Sequence, residues 1–110
     1  MDSTEYVQIA TTFESEDDAK KVAGALVDKR FVACAQILGP LTSIYRWQGK
    51  VELATEWQCL MKTTKASQPE AVSLIQDLHP YEEPEIVVFP IVDGSSGYLA
   101  WIQNNCKLDS

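Results

Sequence analysis

Leu41-Thr42-Ser43-Ile44-Tyr45-Arg46-Trp47-Gln48-Gly49-Lys50-Val51-Glu52 is the stretch that decides the fold of this chain. An extended run from Leu41 to Trp47 meets Gln48-Gly49, and a further extended run leaves at Lys50. A two-residue turn carrying glycine joins neighbouring antiparallel strands, because glycine adopts the positive φ that such turns require. Parallel neighbours need crossover connections instead. The hairpin therefore argues against a doubly wound parallel sheet, which alternating strands and helices could otherwise build.

Upstream, Phe31 to Leu38 reads as the start of the same strand, interrupted at Gly39-Pro40. Before it lies a helix starting near Ser15, whose hydroxyl can cap the first turn while Glu16, Asp17 and Asp18 suit the positive helix end. Its apolar stripe is Ala19, Val22, Ala23, Leu26 and Val27, and Lys29 and Arg30 sit at its negative end. Tyr6 to Thr12 alternates as a first strand. Downstream, the third strand is clearest from Glu56 to Thr63. Ser67-Gln68-Pro69-Glu70 has the spacing of a capping box, and Ala71, Leu74, Ile75 and Leu78 form the stripe of the helix it opens. Ile86 to Val92 is a fourth strand, which Pro90 places at an edge or a bulge. Ser95 or Ser96 begins a last helix with Tyr98, Leu99, Trp101 and Ile102 on its apolar side. The order predicts an α+β fold: a ferredoxin-like split βαβ sandwich with an antiparallel sheet, a long central hairpin and an extra C-terminal helix. A hairpin this long outruns the core of its own domain, and assembly is a common way to cover it.

The chain has 110 residues, 45% of them hydrophobic, which suits a single domain over 1–110. A net charge of -7 argues against nucleic acid and anionic membranes as partners. No apolar run approaches the roughly 20 residues that span a bilayer, and Met1 to Glu5 lacks the basic and apolar regions of a signal peptide. The cysteines Cys34, Cys59 and Cys106 are widely spaced, which suggests neither a zinc cage nor a disulfide framework. A cytoplasmic location is the expectation.

The densest chemistry lies in His79-Pro80-Tyr81-Glu82-Glu83-Pro84-Glu85, a connector stiffened by two prolines. His79 is the only histidine, and it is either a metal ligand or proton shuttle, or a half-exposed residue meeting the last helix carbonyls. Cys34 is either a soft metal ligand or a small hydrophobe, and Lys62 either meets an anionic ligand or is a solvated strand-end lysine. Glu82, Glu83 and Glu85 can bind hard cations or remain solvated. Tyr45, Arg46 and Trp47 at the hairpin tip have the composition of a contact surface. No GxGxxG, P-loop or GxSxG motif is present, so an enzyme built on His79 with Glu82 as its orienting partner is the least supported reading.

Ala33-Cys34-Ala35, Thr42 to Glu52, Lys62-Thr63, His79 to Ile86 and Tyr98-Leu99-Ala100-Trp101, in that order, resemble the CutA divalent-cation tolerance proteins from about Val7 to Ile102. The resemblance implies a ferredoxin-like protomer in a compact homotrimer, a link to copper tolerance and, in some members, copper binding. Members implicated in copper binding carry a cysteine late in the first strand and two adjacent histidines, where this chain has Thr11 and then Leu78 before His79. The fold also resembles the PII signalling trimers, which bind small effectors between subunits. The expectation is a trimeric, non-enzymatic protein of metal homeostasis that binds small ligands or, weakly, copper in intersubunit clefts. Its cleft residues are Cys34, Trp47, Lys62, Tyr81 and Glu82, with His79 toward metal. The alternative is a sensor of PII type in which Lys62 pairs with an anionic effector.

Overall fold

The computed structural model describes residues 4–107, so the ends of the expected 1–110 domain, Met1–Ser3 and Leu108–Ser110, lie outside the described residues. The elements are β1 (Tyr6–Phe13), α1 (Glu16–Asp28), β2 (Cys34–Trp47), β3 (Lys50–Thr64), α2 (Gln68–Leu78), β4 (Ile86–Ile91) and α3 (Ser96–Asn105). The strands form one sheet in the order β2-β3-β1-β4, antiparallel at every junction. This is the ferredoxin-like α+β arrangement that the hairpin predicted. Ile9 and Phe13 of β1 and Cys59 and Met61 of β3 pack with Ala19, Val22 and Leu26 of α1 and Ala71 and Ile75 of α2 to make the main core. A smaller cluster joins Ile102 and Cys106 to Tyr6 and Ala33, with Leu99 and Ile91 at its margin.

Ser15 caps α1 as expected, its Oγ accepting the Asp18 N–H at 3.1 Å. The other end departs from expectation. Val27 is exposed, and Lys29 and Arg30 close the helix instead of lying in its last turn. Arg30 takes a left-handed φ of 63°, donates its N–H to Val27 O, and lets the Phe31 N–H reach Leu26 O at 3.1 Å. Those two bonds satisfy carbonyls that a helix end leaves open. They also hold Phe31 against the helix, which is why β2 begins at Cys34 and not at Phe31. The Arg30 guanidinium donates to Asn104 O at 2.9 Å and so ties α3 to the same corner.

The expected capping box of α2 does not form. Ser67 is itself helical, and its hydroxyl donates to Lys107 O at 3.3 Å, an acceptor distant in sequence. Leu78 does not complete the stripe of α2: it is 45% exposed, because His79 turns inward in its place. In α3 only Ile102 of the four expected apolar residues is buried, and Tyr98 and Trp101 stack on each other at the surface, 5.5 Å between centroids. Ser95 occupies the N-cap position with no side-chain cap bond.

The turn has the left-handed geometry its composition demands, with φ of 49° at Gln48 and 80° at Gly49, and Trp47 pairs with Lys50 across it. β2 runs through Gly39-Pro40 without ending. The register shifts between Leu38 and Leu41, so the two residues form a bulge beside Trp57. A Cβ on Gly39 would stand 2.5 Å from Trp57 Cδ1, so only glycine lets the strand pass the indole. β4 is an edge strand and carries Pro90, but it ends at Ile91, leaving Val92 exposed beyond it. The hairpin stretches the protomer to 50 × 25 × 21 Å, with a radius of gyration of 14.8 Å. A compact domain of this length has about 13 Å.

Candidate functional site

The residues expected to line a cleft between subunits lie in separate places on the single protomer. The first is a latch around His79. The residue is only 7% exposed, and its ring stacks flat on Phe13, 4.3 Å between centroids at 9°. Nε2 lies 2.8 Å from Thr12 O, and Nδ1 accepts the Tyr81 N–H at 3.1 Å. A carbonyl can only accept and an amide N–H can only donate, so the imidazole is neutral with its proton on Nε2. The expected meeting with helix carbonyls gives way to one with β1, because Pro80 turns the chain back over the sheet. Burial lowers the pKa of His79, against the raising influence of the Thr12 carbonyl and of the Asp18 and Glu56 charges.

Tyr81 continues the latch. Its ring lies 4.8 Å from that of His79, and its hydroxyl donates to Glu56 Oε2 at 2.8 Å. Burial raises its pKa, and the Glu56 bond and the Glu56 and Glu14 charges add to the rise, so it remains a neutral donor. Glu82 is exposed and does not join this network. Glu56 had no local signal in the sequence, since its partner is on another element.

The second place lies toward the opposite end of the sheet. Cys34 of β2 stands opposite Lys62 of β3, which stands opposite Gln8 of β1, which stands opposite Phe89 of β4. This row of four crosses one face, since directly opposed residues share a face. Lys62 Nζ donates to Gln36 Oε1 at 3.0 Å, and Cys34 Sγ is 3.7 Å from Tyr98 Oη. The Cys34 contact, followed by burial, raises the pKa of Tyr98, which keeps its proton. Lys62 is six positions along β3 from Glu56, about 20 Å. Trp47 is at the hairpin tip, paired with Lys50, about 40 Å from Lys62 along the strand. Cys34 and Lys62 therefore come together within one protomer, Tyr81 belongs with His79, and Trp47 and Glu82 join neither. Gln36 and Tyr98 were not singled out as site residues in the sequence; the bond from Lys62 and the packing of α3 against Cys34 bring them in.

The family model for CutA1 divalent ion tolerance protein matches residues 7–105. The chain belongs to this family. It is 44% identical over 97 residues to the divalent-cation tolerance protein CutA of Thermus thermophilus, covering 88% of this chain and 94% of that one. The solved structure of the divalent cation tolerance protein from Thermus thermophilus superposes with a TM-score of 0.89 at 42% identity, over 93% of this chain and 99% of that one. A solved structure described as the periplasmic divalent cation tolerance protein CutA from Archaeoglobus fulgidus gives a TM-score of 0.87 at 32% identity, over 91% and 97% of the two chains.

Copper, which the CutA resemblance implies, does not fit the side chains of a single protomer as they stand. Both ring nitrogens of His79 are in hydrogen bonds, so neither lone pair is free for a metal. Thr11 is sealed in the interior with its hydroxyl unbonded, and Leu78 is outside. The thiol of Cys59 is also buried, and that burial, with a smaller influence from Cys34, pushes its pKa up to about 12, far from the thiolate a metal requires. Among the described residues, no group of three or more His, Cys, Asp and Glu side chains is arranged to hold a metal ion.

Proposed function

We propose that the chain acts as a homotrimer in divalent-cation tolerance, in the cytoplasm and without catalysing a reaction. Small ligands or, weakly and with low specificity, metal ions bind where copies meet. The observation that carries this reading is the apolar surface of the free hairpin. Ile44 and Leu53 oppose each other and are each 67% exposed, and Val51 beside them is 60% exposed. Exposed apolar pairs on a protruding hairpin are costly in water and typical of surfaces covered by another chain. Membership in the CutA1 divalent ion tolerance protein family supports the cellular role. The absence of nucleophile and nucleotide motifs supports a non-enzymatic one.

The role is tested by expressing the chain in a bacterium whose own cutA gene has been deleted and measuring growth across graded copper concentrations. Wild type restores growth at concentrations that arrest the empty-vector strain. His79→Gln, if folded, restores it as well, because both ring nitrogens of His79 are already in hydrogen bonds within the protomer. Failure of wild type to restore growth at normal expression contradicts the proposed role.

A further inference from the structure

Lys62 is a cation on an interior strand of an acidic protein, and among the described residues it has no counter-charge. Among the described residues the ion pairs are Lys20–Glu16 and Lys65–Glu5, and Lys62 is in neither. Its one hydrogen-bond partner is neutral, Gln36 Oε1, and accepting there turns the Gln36 amide N–H groups away from Lys62. Beside it, Cys34 and Tyr98 share one hydrogen bond between two donors, so one O–H or S–H remains to be given. Trp101 stacks on Tyr98 and extends a half-exposed aromatic wall along the same helix. The cluster thus combines a positive charge, surplus donors and a flat wall, with no carboxylate paired to Lys62 among the described residues. The Lys62 ammonium and its Gln36 bond are open to solvent, so an anion can reach the charge without displacing a carboxylate.

We infer that Lys62, Gln36, Cys34 and Tyr98 form a binding site for a small organic anion, a carboxylate whose charge meets Lys62 and whose flat body lies along Tyr98 and Trp101. The inference rests on the ligand-binding part of the reading above and names the chemistry of that ligand. All of its groups belong to one protomer. The ammonium supplies attraction, and the neutral donors fix the orientation of the carboxylate oxygens. The aromatic wall favours an unsaturated ligand over an inorganic anion of equal charge.

The test is an NMR titration of the 15N-labelled protein with benzoate and, separately, with inorganic phosphate, each at low ionic strength. Benzoate should give saturable shifts confined to Cys34, Gln36, Lys62, Tyr98 and their neighbours, and it should bind more tightly than phosphate. Lys62→Met should weaken benzoate binding at least tenfold, Tyr98→Phe severalfold, and Lys65→Met not at all. Tyr98→Phe removes a single surface hydroxyl, so it remains informative if Lys62→Met folds poorly. Phosphate shifts equal to those of benzoate would remove the aromatic wall from the proposal. Scattered, non-saturating shifts, or binding that survives both variants, would overturn the site. Sedimentation of the same samples separates the two claims. No benzoate binding by an intact trimer refutes the anion site alone, whereas saturable benzoate binding by a monomer keeps the anion site and refutes both the assembly and the placing of ligands where copies meet.

Discussion

His79→Ala is expected to destabilise the protein by roughly 3 kcal/mol, far more than loss of a surface histidine. The substitution removes the Thr12 and Tyr81 hydrogen bonds and the face stacked on Phe13, each worth about 1 kcal/mol, and leaves a void over β1. Tyr81→Phe, which removes only the bond to Glu56, should cost about 1 kcal/mol. Urea denaturation of the variants at neutral pH checks both values. The latch also sets a pH dependence. The folded pKa of His79 lies below its ordinary value of 6.5, so the unfolded chain binds the proton first. The stabilisation is fully present above pH 6.5 and is lost as pH falls from there through the folded pKa. Protonated imidazole cannot accept the Tyr81 N–H, so the connector should loosen in the same range. The urea midpoint of wild type should therefore fall below pH 6.5 more steeply than that of His79→Gln. Parallel curves would remove His79 as the cause.

The double variant Ile44→Asp, Leu53→Asp should abolish assembly while leaving the sheet of each protomer intact. Both side chains are largely exposed in the single chain, so the charges cost little there. Buried at an interface, two unpaired carboxylates per copy cost several kcal/mol each and repel their symmetry mates. The expected outcome is a species of chain mass with wild-type far-UV circular dichroism and a lower melting temperature. Trp47→Ala at the hairpin tip should loosen the assembly less, by about 2 kcal/mol if the ring is an anchor. Retention of the wild-type mass by the double variant would show that the apolar face of the hairpin is not where copies meet.

The sequence made the architecture readable because its deciding signals are local. Gln48-Gly49 requires a tight turn, Ser15 caps within its own first turn, and alternation in β1 and β3 needs only neighbours. What escaped depends on residues distant in the chain. Ser67 has the spacing of a capping box, yet its hydroxyl is drawn to Lys107 O, which no local pattern could reveal. The fate of His79 was set by Thr12, 67 positions away, whose carbonyl meets Nε2 over β1. The five cleft residues were chosen from their motifs as one site between subunits; within one protomer Tyr81 stands apart from Lys62, while strand register sets Lys62 opposite Cys34, a hydrogen bond ties Lys62 to Gln36, and Cys34 reaches Tyr98 of α3. Composition gives residue types, whereas register gives distances.

The central claim, that this CutA-family chain works as a trimer built through its long hairpin, is tested most directly by sedimentation equilibrium of the wild-type protein over a hundredfold range of dilution. The account predicts one species at three times the 12.3 kDa chain mass, with dissociation only at the lowest concentrations if at all. A stable, soluble monomer of 12.3 kDa across that range would contradict it, and the exposed Ile44, Val51 and Leu53 would then need another explanation.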